Sequence, residues 1–119
     1  MTRIYRFIST LQDELRKLNQ RYVLYLNTPC GTFRLNDPHI KDVMKAMSRH
    51  HMDYVSLTIE RYSREYHDTM SLQKCIPIIE IQAITTSSMQ EHIKTLAQYI
   101  DAEFCDFEKQ QLTSIPKEN

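Results

Sequence analysis

Glycine occurs once in these 119 residues, at Gly31, and tryptophan does not occur at all. Loops that cradle phosphates or dinucleotides need several glycines, so that the backbone can approach the ligand, as in GxGxxG or GxxxxGK[ST]. With one glycine neither can be built, and the nucleotide-binding classes that depend on them are excluded. Tight Asn-Gly hairpins are excluded on the same ground. Long apolar runs are missing too. None approaches the roughly 20 residues of a membrane span, and no membrane association is expected. The amino terminus, Met1 to Arg6, has neither the apolar stretch nor the small-residue cleavage site of a secretory signal.

Cysteine is sparse. Cys30, Cys75 and Cys105 are an odd set at wide spacing, where a secreted domain of this size more often shows an even one. Reduced thiols and a cytoplasmic setting are the expectation. A net charge surplus is also absent, with 15 basic and 15 acidic residues. The charge is nevertheless uneven. Residues 1–50 hold nine bases and four acids, so that half carries a surplus of five, offset by the remainder. A neutral chain lacks the electrostatic footprint of a nucleic-acid binder, and the split favours two oppositely charged faces or a contact between copies.

What is present suffices for one globular α+β domain, expected over 1–112, with a flexible tail over 113–119. The chain is 41% hydrophobic and 25% charged, ordinary for a folded protein. Ile4, Phe7, Ile8, Leu11, Leu15 and Leu18 recur at steps of three and four and predict an amphipathic helix over about 3–18. Arg21 to Leu26 is aromatic and β-branched and predicts a strand, closed by the turn chemistry of Asn27, Pro29 and Gly31. Thr32 to Leu35 alternates briefly, as a short second strand would. Asp37 can cap a helix whose first position suits Pro38, with Ile40, Val43, Met44 and Met47 on its inner face.

Met52 to Met70 fits two periods. Val55, Leu57 and Ile59 alternate, while Met52, Val55, Ile59, Tyr62, Tyr66 and Met70 suit a helix. The residue types favour a strand from Asp53 to about Arg61, followed by a short helix or irregular turn. Ile76 to Ile84 reads as a further strand with Pro77 near its start. Ser88 and Glu91 form a capping box ahead of a long helix with Met89, Ile93, Leu96, Ala97, Ile100, Phe104 and Phe107 on one stripe. A small mixed sheet packed by an N-terminal, a middle and a C-terminal helix results.

Few residues point to chemistry. The histidines, His39, His50, His51, His67 and His92, show no metal-ligand spacing, and neither a metal nor a cofactor is expected. Asp101, Glu103, Asp106 and Glu108 fall among the polar positions of the last helix and read as a solvated face. Glu80, between Ile79 and Ile81, should face solvent or a partner. No serine lies in a GxSxG elbow. Cys30, in a Pro-Cys-Gly turn behind a strand, is placed as reactive cysteines often are, but a small apolar residue filling a turn is the favoured reading.

In outline the arrangement is similar to the thioredoxin superfamily, over roughly residues 20 to 112. An apolar strand leads into Thr28-Pro29-Cys30-Gly31, a helix and an alternating strand follow, Ile76-Pro77 opens another strand, and a helix closes the chain. The resemblance implies a thiol centre at Cys30 beside a cis proline at Pro77. Phe33 stands where the second cysteine of a CxxC motif would be.

Tyrosine is plentiful and recurs beside arginine, in Arg21-Tyr22 and in Arg61-Tyr62-Ser63-Arg64-Glu65-Tyr66. Protein interfaces favour both residue types, so Tyr22, Arg61, Tyr62, Arg64 and Tyr66 are the binding candidates. The expectation is a small non-enzymatic protein-binding module of the inhibitor, adaptor or chaperone-like kind, homodimeric in one version. The alternatives are a thioredoxin-like redox protein or inactive relative using Cys30 and Pro77, and a weak nucleic-acid binder using the basic first half.

Overall fold

A computed structural model describes residues 2–49 and 52–114. Four helices and four strands follow one another as α1 (Thr2–Leu18), β1 (Tyr22–Thr28), β2 (Gly31–Arg34), α2 (Ile40–Arg49), β3 (Tyr54–Ser63), β4 (Asp68–Pro77), α3 (Ile78–Ala83) and α4 (Met89–Ser114). The class is α+β. The sheet, ordered β2-β1-β3-β4, is antiparallel at every pairing rather than mixed. Two hairpins, 28–31 and 63–68, supply two of its three pairings, and neighbours joined by tight turns must run antiparallel.

Each hairpin meets the shortage of glycine differently. The first spends Gly31, whose φ is +134°. The second places His67 at φ 52°, a left-handed conformation that a residue with a Cβ adopts only at a cost of about 1–2 kcal/mol. Between the hairpins, Asp37 Oδ1 accepts the His39 N–H at 2.8 Å as a capping residue would, but α2 begins at Ile40, so Pro38 stands in the turn before the helix and not at its first position.

Period-two burial runs along both central strands. Tyr22, Leu24 and Leu26 of β1, and Val55, Leu57, Ile59, Arg61 and Ser63 of β3, turn to one side and are buried. There they join the stripes of α1 (Ile4, Phe7, Ile8, Leu11, Leu15) and α4 (Met89, Ile93, Ala97, Ile100, Phe104) in a single core. The two helices pack on each other, linked by a hydrogen bond from the Gln90 amide to Glu14. Where β1 outruns β2, the Leu24 N–H donates to Gln12 Oε1 at 3.3 Å, so α1 supplies the acceptor that no strand provides.

Three expectations are corrected here. Residues 76–84 are not one strand. The ladder ends at Pro77, which has no N–H to donate, and α3 begins at once, with Ile81 buried and Ile79 exposed. Its isoleucines at 78, 81 and 84 pack at helical spacing; a short apolar run of β-branched residues cannot be assigned by residue type alone. The strand lies earlier, as β4, where Asp68, Met70, Leu72, Lys74 and Ile76 face the core side. Ser88 does not form the capping box, since its hydroxyl pairs with the Thr85 hydroxyl at 2.6 Å. The apolar stripes also end sooner than their periodicity, for Leu18 and Phe107 are exposed. Helix α4 continues through Ser114, and the rest of the expected tail, 115–119, lies outside the described residues, as do His50 and His51. No described helix is long and apolar enough to cross a membrane.

Candidate functional site

The five tyrosine and arginine candidates separate onto three surfaces, because strand residues one apart face opposite ways. Tyr22 and Arg61 are opposite one another in the β1–β3 register and both turn to the helix side. Tyr62 points to the other face. Arg64 and Tyr66 lie in the turn that joins β3 to β4.

On the helix side Arg61 is only 4% exposed. Its guanidinium carbon lies 5.6 Å from the Tyr22 ring centre and 5.4 Å from that of Phe104, and the two rings meet edge to face at 5.3 Å. Such contacts are favourable, but a desolvated charge also needs a counter-charge. Helix α4 supplies it: Arg61 Nη2 is 2.6 Å from Glu108 Oε1, and Nη1 is 3.5 Å from Asp101 Oδ1. Tyr22 Oη donates to the same Asp101 oxygen at 2.7 Å, and Cys105 Sγ lies 3.9 Å from Nη1. Asp101 and Glu108 are therefore not simply a solvated face. With Phe104 and Cys105 they form a second stripe on α4, at steps of three and four, aimed at one buried cation. Arg61 Nε is buried without a hydrogen-bond partner among the described residues.

The electrostatics follow from this packing. Burial first, then the hydrogen bond to Asp101, pushes the Tyr22 hydroxyl far above the ordinary tyrosine value. Burial works against the Arg61 charge, but Cys105, Tyr22 and Glu108 outweigh it and hold the proton more firmly than usual. In the adjoining turn, burial of the Tyr66 hydroxyl, then Glu65 and Glu108, raises that group as well. A salt-bridged, ring-stacked arginine fastens α4 to the sheet.

The opposite face of the sheet, the bare face, has no buried residue among the described ones. Val23, Tyr25 and Asn27 of β1, Ser56, Thr58, Glu60 and Tyr62 of β3, and Ser71 and Gln73 of β4 turn there, and none is buried. Asn27 organises the end of this face next to the β1–β2 turn, donating to Thr58 Oγ1 at 2.8 Å and Ser56 Oγ at 3.3 Å while accepting from Thr32 Oγ1 at 3.0 Å. Two arginines lie on tyrosines of this face, one pair level with Thr58 at its middle and the other at the Tyr62 end. Arg34 sits 5.5 Å from the Tyr25 ring centre, with Nη2 donating to Tyr25 Oη at 3.3 Å, and Arg21 sits 5.6 Å from that of Tyr62. Tyr62 Oη also pairs with His67 Nδ1 at 3.3 Å. Tyr25, Arg21 and Arg34 were not among the candidates read from sequence. The signal was there in β1, since an inward Tyr22 forces Tyr25 outward.

Cys30 and Pro77 are not brought together. Cys30 is exposed in the β1–β2 turn, its N–H donating to Thr28 Oγ1 at 3.1 Å, and the chain continues as β2 rather than into a helix. Pro77 ends β4, and no peptide bond among the described residues is cis. Strand β3 stands between β1 and β4, which separates the two positions by about 10 Å or more at ordinary strand spacing. Among the described residues no three His, Cys, Asp or Glu side chains gather as a metal set. No protein-family model, no curated protein and no solved structure matches this chain.

Proposed function

We propose that this chain is a non-enzymatic protein-binding module, of the adaptor, inhibitor or chaperone-like kind, and that it docks its partner on the bare face of the sheet. One observation carries the reading: Arg34 on Tyr25 and Arg21 on Tyr62 are held on one antiparallel face that has no buried residue. Tyrosine and arginine dominate the energetics of protein interfaces. A tyrosine already braced by a guanidinium loses little freedom on binding, which lowers the entropic cost of association. The polar group around Asn27 has its hydrogen bonds satisfied internally, so covering it strands few donors. Tyrosines on an open sheet also stack nucleic-acid bases. Glu60 on the same face and the neutral chain favour a protein instead.

The test is capture from native lysate with identification by mass spectrometry, run in parallel with wild type and Tyr25→Ala/Tyr62→Ala. A protein recovered by wild type and bound about thirtyfold more weakly by the double variant is the expected result. Recovery of nucleic acid alone, or of a protein held equally by both baits, would overturn it.

A further inference from the structure

The outer edge of β4 has features that the bare face does not explain. The sheet has two margins. At β2 the edge strand is four residues long, short enough to be a poor template. At β4 it is ten residues long, and its register with β3 runs without interruption from Tyr54↔Pro77 to Ser63↔Asp68, so no bulge breaks it. No strand pairs with this edge among the described residues. Exposed edges are ordinarily blunted by short length, proline, bulges or charge, and before its last residue β4 carries only the charges, Asp68 and Lys74. Here the single proline is Pro77, at the very end.

Beside this edge, α4 exposes aromatic surface. Tyr99, Glu103 and Phe107 follow at steps of four and share one helix face. Tyr99 is 68% exposed and Phe107 41%. Between them, Glu103 Oε1 accepts from Lys74 Nζ at 2.6 Å, which fixes the stripe alongside β4. An unpaired strand and an uncovered aromatic stripe thus form one continuous surface.

We infer that a second copy of this chain occupies it, pairing β4 with β4 antiparallel about a two-fold axis at Ser71, so that two four-stranded sheets become one. The charge pattern selects both the occupant and the register. Residues directly opposite in a sheet share a face, so only slips of two residues keep the helix sides matched. With Ser71 on the axis, Asp68 faces Lys74 of the second copy, Met70 faces Leu72, and Thr69 faces Gln73. With Met70 on the axis, Asp68 faces Leu72; with Leu72 on the axis, Met70 faces Lys74. The Ser71 register alone, of these, sets opposite charges and apolar pairs against each other. Lys74 keeps its bond to Glu103, since an ammonium has three donors. The same closure brings the two α4 stripes toward each other below the joined sheet, as an isologous contact requires.

Sedimentation equilibrium over a range of protein and salt concentrations tests this. Wild type should dimerise, less so as salt rises. Asp68→Lys and Lys74→Glu should each weaken the dimer about tenfold, and Asp68→Lys/Lys74→Glu should restore it. Circular dichroism checks each fold. If Lys74→Glu fails to fold because it meets Glu103, the single Asp68→Lys still decides. A monomer at every concentration, a dimer indifferent to Asp68→Lys, or a monomer that takes an extended peptide along β4 would each overturn the proposal. The reading of the bare face rests on Tyr25 and Tyr62 and is untouched by any of these results.

Discussion

Arg61 and Tyr62 are adjacent in the chain and sit on opposite faces of β3. Arg61 is buried against Tyr22 and Phe104 and ion-paired to Glu108 and Asp101. Tyr62 is 40% exposed and lies under Arg21 on a face with no buried residue. The two sites use the same side-chain pairing, a guanidinium over a phenol ring, to different ends. On the covered side water is excluded, so the contact counts only because carboxylates from α4 neutralise the charge, and the product is a tie between helix and sheet. On the bare side water remains, the contact contributes little to the fold, and it leaves a rigid, amphipathic surface available. Burial, rather than residue type, separates a structural arginine–tyrosine pair from one that can recognise a partner.

The comparison can be broken most forcefully at Phe104, which is buried and forms one wall of the Arg61 site. Phe104→Ala should cost about 3–5 kcal/mol in urea unfolding. A variant as stable as the parent would mean that the covered side is not the core.

Tyr22→Phe probes the same site more gently. It removes the hydrogen bond to Asp101 and should cost about 1–2 kcal/mol at neutral pH. Its pH dependence is more telling. The Tyr22 hydroxyl titrates above the ordinary 10.0 in the folded chain, so the unfolded chain releases this proton first. The contribution is complete below pH 10.0 and is lost as pH rises beyond it. Wild type should therefore lose stability more steeply than Tyr22→Phe in that alkaline range. Parallel curves for the two proteins would detach Tyr22 from the buried network.

The smallest effect on stability belongs to the bare face. Tyr62→Ala loses one exposed cation–π contact and should cost about 1 kcal/mol or less. Paired with the loss of binding proposed for Tyr25→Ala/Tyr62→Ala, this would divide the two faces cleanly into one that folds and one that docks. A large stability loss at Tyr62 would remove that division.

Much of the helix side was legible from periodicity. The stripes of α1 and α4, the alternation in β1 and the Asp37 cap all follow from spacing and local hydrogen bonding, which act within a few residues. Legibility failed where local signals were balanced or misleading. Ile76 to Ile84 has the residue types of a strand, yet Pro77 and the packing of Ile81 divide it between two elements. Asp101 and Glu108 have the look of solvated helix residues; nothing in their neighbourhood announces a cation from β3. The candidate pairs were half visible for a related reason. Arginine beside tyrosine in sequence guarantees opposite faces in a strand, so Arg61–Tyr62 is not a contact. The contacts that form, Arg21 on Tyr62 and Arg61 on Tyr22, join different strands.

The sequence by itself determined the α+β class, the helix stripes, the scarcity of glycine turns and the absence of the phosphate-binding loops that need them, because each depends on residue type and short-range spacing. Only the folded arrangement makes the sheet antiparallel throughout, turns two carboxylates of α4 onto Arg61, and leaves one face of the sheet without a buried residue and the edge of β4 unpaired among the described residues. Those outcomes depend on register between strands far apart in the chain and on which side the helices close. Both are set by the burial of the whole apolar set at once and have no local signature.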